Sequence, residues 1–220
     1  MSENSLNFQN LPPVIPVFPL EAAILLPGSN LPLNIFEPRY LQMVKDARAG
    51  RGIIGMIQPQ QIDNNASKPM LYGIGCAGNI THFDETEDGR YIIRLTGVCR
   101  FSVDSELDVM TPYRQVQPNW SPFKSDMIAE QDVKSMDRKE LMAALKSYLK
   151  MKGLAADYEG INTAPDAVLV NTLSMIIPFG SAEKQALLEA EDAPSRGETL
   201  QQLLIMLTSA TQPETNGQPS

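Results

Sequence analysis

VCRFSVDSELDV, residues 98–109, is the stretch whose pattern settles the class of fold. Cys99, Phe101, Val103, Ser105, Leu107 and Val109 alternate with Arg100, Ser102, Asp104, Glu106 and Asp108. A sustained period of two predicts a long strand with one buried and one wet face. RYIIRL at 90–95 reads as more strand, with Gly97 as a bend or bulge between the two segments. Further back, Tyr72, Ile74, Cys76 and Ile80 share one parity, while Gly73, Gly75 and Ala77 hold the other. Small residues on one face permit close backbone approach and strong curvature, as a closing sheet needs. Apolar segments at 14–18, 22–26, 31–36, 52–58 and 112–117 supply further short strands, so a closed or half-closed β-barrel is expected.

One helix interrupts the strands. In FEPRYLQMVKDARAG (36–50), Phe36, Tyr40, Met43, Val44 and Ala47 fall on one face, with Pro38 suited to the first turn and Gly50 to the end. After Trp120 the glycines and prolines thin out and the periodicity turns helical. Asp137 and Glu140 form a capping box opening a helix to about Lys152. Asp166 to Ile177 is apolar nearly all round and must be enclosed. Ser181 can cap a helix through Glu189, and Ser195 with Glu198 can open another carrying Leu200, Leu203, Leu204 and Leu207. The reading is an α+β chain: a β-rich barrel with one inserted helix over 12–122, then a four-helix, bundle-like region over 123–210. Residues 1–11 and 211–220 are expected to be disordered, the latter being too polar to offset ordering entropy.

Composition narrows the function. The 220 residues carry 18 Lys and Arg against 26 Asp and Glu, a net charge of −8, and both halves are acidic. Such a balance disfavours nucleic acid and anionic membranes as partners. No apolar run is long enough to span a bilayer, and MSENSLNFQNLPP has neither the basic nor the apolar region of a secretory signal. Cys76 and Cys99 make no metal spacing or disulfide framework, so a cytoplasmic protein with two reduced thiols is expected.

The chemical motifs fail on context. GIGCAG at 73–78 matches a dinucleotide fingerprint, but strand-like residues follow where a helix is needed. DETEDGRYIIRL at 84–95 begins like a calcium loop, yet its twelfth position is Leu95 rather than a bidentate Glu, so an acidic hairpin loop is expected. His82 is the single histidine and has no nucleophile motif beside it; Cys99 lies on the apolar parity of its strand. No P-loop sequence occurs. No catalytic residue, metal site or cofactor is assigned.

VIPVFPLEAAILLPGSNLPLNIFEPRYLQMV at 14–44 carries a resemblance. It is similar to the opening of the Lon protease N-terminal, substrate-binding domain family. The pattern comprises Pro19-Leu20, Leu26-Pro27-Gly28, Leu31-Pro32-Leu33 and Phe36-Glu37-Pro38-Arg39-Tyr40, continuing with Gly97, Arg100 and Phe101. The resemblance runs over roughly residues 12–208 and implies a PUA-like pseudobarrel followed by helices. Since no P-loop is present and no room remains for a protease domain, it implies a stand-alone, non-catalytic recognition module for polypeptide segments or a protein partner. The alternative it raises is RNA binding, which PUA-like barrels often serve and which the charge disfavours. The motif residues are expected to be structural, with Glu37 and Arg39 fixing the helix start and an ion pair to a neighbouring turn. Leu25, Leu26, Pro27, Met70 and Leu71 place apolar side chains near expected turns; they are the candidate peptide contacts, unless they complete the core.

Overall fold

The structure, a computed structural model, describes residues 7–60, 68–128, 137–155, 161 and 163–209. Six strands form one sheet: β1 (Ile15–Pro19), β2 (Asn30–Ile35), β3 (Ile53–Ile57), β4 (Ile74–Glu85), β5 (Tyr91–Glu106) and β6 (Arg114–Asn119). Helix α1 (Pro38–Ala49) is inserted between β2 and β3. The sheet order is β2-β5-β4-β3-β1-β6, and β6 pairs back onto β5. The ring β5-β4-β3-β1-β6 therefore closes on itself as a barrel, with β2 outside it. Length makes this possible: the sixteen residues of β5 pair β2 through Tyr91–Thr96 and β6 through Ser102–Glu106.

Curvature enters where the sequence placed its small residues. Val98 is an extra residue between the pairs Ala77↔Cys99 and Gly78↔Gly97, a bulge of the kind that bends a strand. A Cβ on Gly75 would lie 2.6 Å from the Phe101 ring, and Phe101 fills the barrel with Ile15, Val17, Ile53, Ile57, Ala77 and Val116.

Four readings of this half need correction. Residues 22–26 form a loop, not a strand, with Ile24, Leu25 and Leu26 buried. The turn that follows docks on Gly97: the Gly28 N–H donates to Gly97 O at 3.0 Å, and the Gly97 N–H to Ser29 O at 2.9 Å. Arg100, expected on the wet face, is 2% exposed because it pairs with Asp126 at 2.7 Å. Asp126 lies in a 3-10 segment, Ser121–Met127, that packs on β5. Phe36 lies before α1 and is exposed, so the helix buries Tyr40, Met43, Val44 and Ala47 without it. Residues 7–11 are placed, with Phe8–Asn10 forming a 3-10 turn; residues 1–6 and 210–220 lie outside the described residues.

The four expected helices are α2 (Arg138–Lys152), α3 (Asp166–Ile176), α4 (Ser181–Glu189) and α5 (Ala193–Ser209). They do not gather into one region. The described chain divides into two compact units, one holding residues through 128 with Met175–Glu189, the other holding those of 137–174 and 190–209. Thus α4 belongs with the barrel: Gln185 Nε2 donates to Ile74 O at 3.1 Å, and Arg100 Nη1 to Leu188 O at 3.1 Å. In the second unit, α2 packs on α5 and Arg196 Nη1 donates to Asn171 Oδ1 at 2.9 Å. Asp137 caps α2 as expected, accepting from the Glu140 N–H at 3.1 Å. The cap of α5 is Asp192, accepting from Ser195 N–H at 2.9 Å, so Ser195 and Glu198 sit inside the helix. Ser181 is the first residue of α4, and its Oγ accepts from the Ala22 N–H. Helix α3 is not enclosed on every side, since Val168 and Ile176 are exposed.

Candidate functional site

After β3 the chain runs back beside itself before entering β4. The Gln60 N–H donates to Met70 O at 2.7 Å and the Tyr72 N–H to Gln58 O at 2.9 Å, so residues 70–72 are held extended. The Val103 N–H of β5 donates to Gly73 O at 2.8 Å on the far side. A cleft of about 370 Å³ opens here, lined by Lys68, Pro69, Met70, Leu71, Tyr72, Gly73, Val103, Glu106 and Arg114. Leu71 and Val103 rest on the barrel core and form its floor, while Met70 is 65% exposed at its edge. The volume is at the lower end of the roughly 300–1,000 Å³ of ligand pockets, room for a side chain rather than a large cofactor.

A charged cluster fixes one rim. Arg114 grips Glu106 with both arms of its fork, Nε to Oε1 at 2.8 Å and Nη2 to Oε2 at 2.5 Å, and its Nη1 donates to Pro69 O at 2.8 Å. Lys68 Nζ lies 2.6 Å from the same Glu106 Oε1. The Arg114 hydrogen bond, opposed by partial burial and helped by Lys68, holds the Glu106 carboxyl below its ordinary range. Lys68, Val103, Glu106 and Arg114 were not singled out in the sequence. Glu106 and Arg114 meet because β5 and β6 pair, Lys68 joins them from the segment that precedes β4, and no local pattern announces that meeting.

Of the five candidate contacts, Met70 and Leu71 line this cleft and Leu25 and Leu26 do not. Both leucines are 0% exposed, because the loop that carries them packs onto Gly78 and Gly97. Pro27 is half-buried against Gly97. A second hollow, of about 280 Å³, lies by Val14, Arg51 and Tyr113, where the Tyr113 hydroxyl donates to Asp46 at 2.8 Å. His82 is exposed on β4 opposite Arg94. Cys76 and Cys99 are buried; desolvation, then the Asp126 charge, pushes the Cys99 thiol up to about 12, which suits packing and not nucleophilic attack. Among the described residues no His, Cys, Asp and Glu side chains group to hold a metal ion. Nor is any helix there long and apolar enough to cross a membrane.

Comparison with known proteins places this architecture. The crystal structure of a Lon N-terminal domain protein from Xanthomonas campestris superposes with a TM-score of 0.57 at 25% identity, covering 87% of this chain and 97% of that one. The N-terminal domain of Mycobacterium avium complex Lon protease gives 0.61 at 18% identity, covering 90% of this chain and 100% of that one, a likeness of fold. The Lon protease of Flavobacterium johnsoniae is 27% identical over 93% of this chain and 26% of its own length. That of Parabacteroides distasonis is 29% identical over 83% of this chain and 22% of its own. The chain spans about a quarter of the length of these relatives. The family model of the ATP-dependent protease La (LON) substrate-binding domain matches residues 14–205. This chain belongs to that family.

The residues that carry the Lon-domain resemblance are construction points in this structure. Gly28 has φ +74 and seats the Leu26-Pro27 turn on Gly97. Pro19 ends β1, Pro32 lies in β2, and Pro38 opens α1. Tyr40 packs tilted against Phe18 at 4.3 Å between ring centroids, and Phe101 meets Trp120 edge-on at 5.7 Å. Arg100 ties β5 to the 3-10 segment and to α4. Glu37 and Arg39 pair with each other at 2.8 Å on the surface instead of reaching a neighbouring turn. Phe36 alone among the motif's aromatics points outward.

Proposed function

We propose that this chain is a non-catalytic, cytoplasmic module that recognises polypeptide segments through the cleft bordered by Met70, Leu71 and Val103. One observation carries the reading: a large apolar side chain, Met70, stands 65% exposed beside a hollow lined by Leu71 and Val103, which pack against the barrel core. Exposed apolar surface next to a concavity favours an apolar guest, since burying Met70 and its partner removes both from water. Membership of a substrate-binding family agrees with such a guest being a polypeptide.

The test is binding of a fluorescently labelled, permanently unfolded polypeptide to the purified chain, read by anisotropy. Met70→Glu should weaken it by about tenfold, the scale of losing roughly 1.5 kcal/mol of apolar burial. Unchanged affinity would remove the cleft from the reading. RNA binding that is tighter than polypeptide binding and falls steeply with added salt would favour the nucleic-acid alternative.

A further inference from the structure

We infer that the Met70 cleft selects segments in which an apolar side chain is accompanied by an acidic one. This rests on the recognition reading above and adds the chemistry of the guest.

Three charged side chains line the cleft: Lys68, Glu106 and Arg114. Glu106 contributes one negative charge, and Arg114 meets it with a two-armed pairing that leaves neither oxygen uncompensated. Arg114 turns its Nη1 to Pro69 O, so it works as a brace for the cleft wall. Lys68 is then a second cation on a carboxylate already neutralised, 2.6 Å from Oε1. Its side chain is 61% exposed. An ammonium has three N–H donors; Glu106 takes one, and the others meet no partner among the described residues. The rim therefore carries one surplus positive charge, two residues along the chain from Met70.

The molecule as a whole is acidic, with a net charge of −8. Its general field repels acidic chains, while Lys68 attracts a carboxylate at contact. At physiological ionic strength the Debye length is about 8 Å, so the distant charges are screened and the contact persists. An acidic group held at the rim by an apolar neighbour in the cleft gains from Lys68; an acidic chain with no apolar anchor does not. Both features are needed together.

The experiment uses the full chain and three labelled peptides of equal length in a Gly-Ser background: one with Leu and a neighbouring Glu, one with Leu and Gln, one with Ser and Glu. At physiological salt the Leu–Glu peptide should bind about tenfold more tightly than Leu–Gln, and Ser–Glu should bind most weakly. Lys68→Gln should bring the Glu-to-Gln ratio to about one, and Lys68→Arg should restore it. A thermal melt of each variant shows that it is folded. Equal affinity for Leu–Glu and Leu–Gln, or a preference that survives Lys68→Gln, overturns the acidic selection while leaving apolar recognition standing. Ser–Glu or polyglutamate binding as tightly as Leu–Glu overturns the joint requirement. Absence of binding by every peptide sinks the recognition reading and this inference with it.

Discussion

Gly97 is the point at which a single hydrogen atom decides the fold. A Cβ there would sit 2.0 Å from Leu26 O and 2.7 Å from its carbonyl carbon, backbone atoms that cannot swing aside. Gly97→Ala must push the Leu26-Gly28 turn off β5 and break the two hydrogen bonds between them. A loss of about 3 kcal/mol or more is expected in urea unfolding, at the upper end of overpacking costs. Lys184 is a residue of the opposite kind, a cation 2% exposed whose Nζ donates to Met175 O at 2.6 Å. Burial pushes its ammonium from 10.5 down to about 8. The folded protein releases this proton near pH 8 and the unfolded chain holds it to 10.5, so unfolding takes up a proton between them. Stability from this group therefore rises with pH from about 8 to 10.5. Cys99, raised from 9.0 to about 12, acts with the opposite sign once pH passes 9. The clean window is pH 8 to 9, where denaturant melts of the wild type should show a rise that Lys184→Met lacks.

At the scale of elements, β2 is the exposed flank of the sheet. It pairs with β5 along its whole length and, among the described residues, with no other strand. An unpaired edge invites a strand from another molecule. Pro32, exposed at its middle, has no N–H to offer such a strand, which gives the Leu31-Pro32-Leu33 motif a physical reason. Pro32→Val should preserve the Asn30–Ile35 ladder and promote self-association, visible as larger species in concentration-dependent light scattering. A strictly monodisperse variant at all concentrations would show that another feature guards this edge. The other elements owe their ends to local chemistry: Pro38 at the start of α1, Asp137 and left-handed Gly153 at the two ends of α2.

For the whole molecule, the unit boundaries matter more than the order of elements. The barrel's unit includes α4, whose Leu187 and Leu188 are buried and whose Gln185 bonds to β4 and to Gln58. Cutting after residue 122 strips Asp126 from Arg100 and α4 from the barrel wall, leaving a buried guanidinium without its partner. A chain of residues 12–122 should aggregate or melt without cooperativity, whereas one of residues 7–209 should unfold in a sharp transition. A cooperative melt of 12–122 would make the barrel independent of α4 and of the 3-10 segment.

Much of this was legible from local pattern. Alternation located β5, the small residues of 73–78 foretold the curvature of the sheet at β4, and the turn chemistry around Pro38 and Asp88-Gly89 marked a helix start and a hairpin. These signals are local because strand parity, proline geometry and glycine's freedom act over a few residues. Three of the misreadings share one cause, a distant partner. Arg100 looks wet until Asp126 arrives; Leu25 and Leu26 look available until Gly97 and Gly78 admit their loop; Ser181 to Glu189 looks like part of a bundle until Arg100 and Ile74 bind it. The candidate site follows the same division. Met70 and Leu71 could be picked out as apolar residues near a turn, but the Lys68–Glu106–Arg114 rim comes from three separate segments. Periodicity is written along the chain, whereas burial and charge pairing are set by which segments the closed barrel brings side by side.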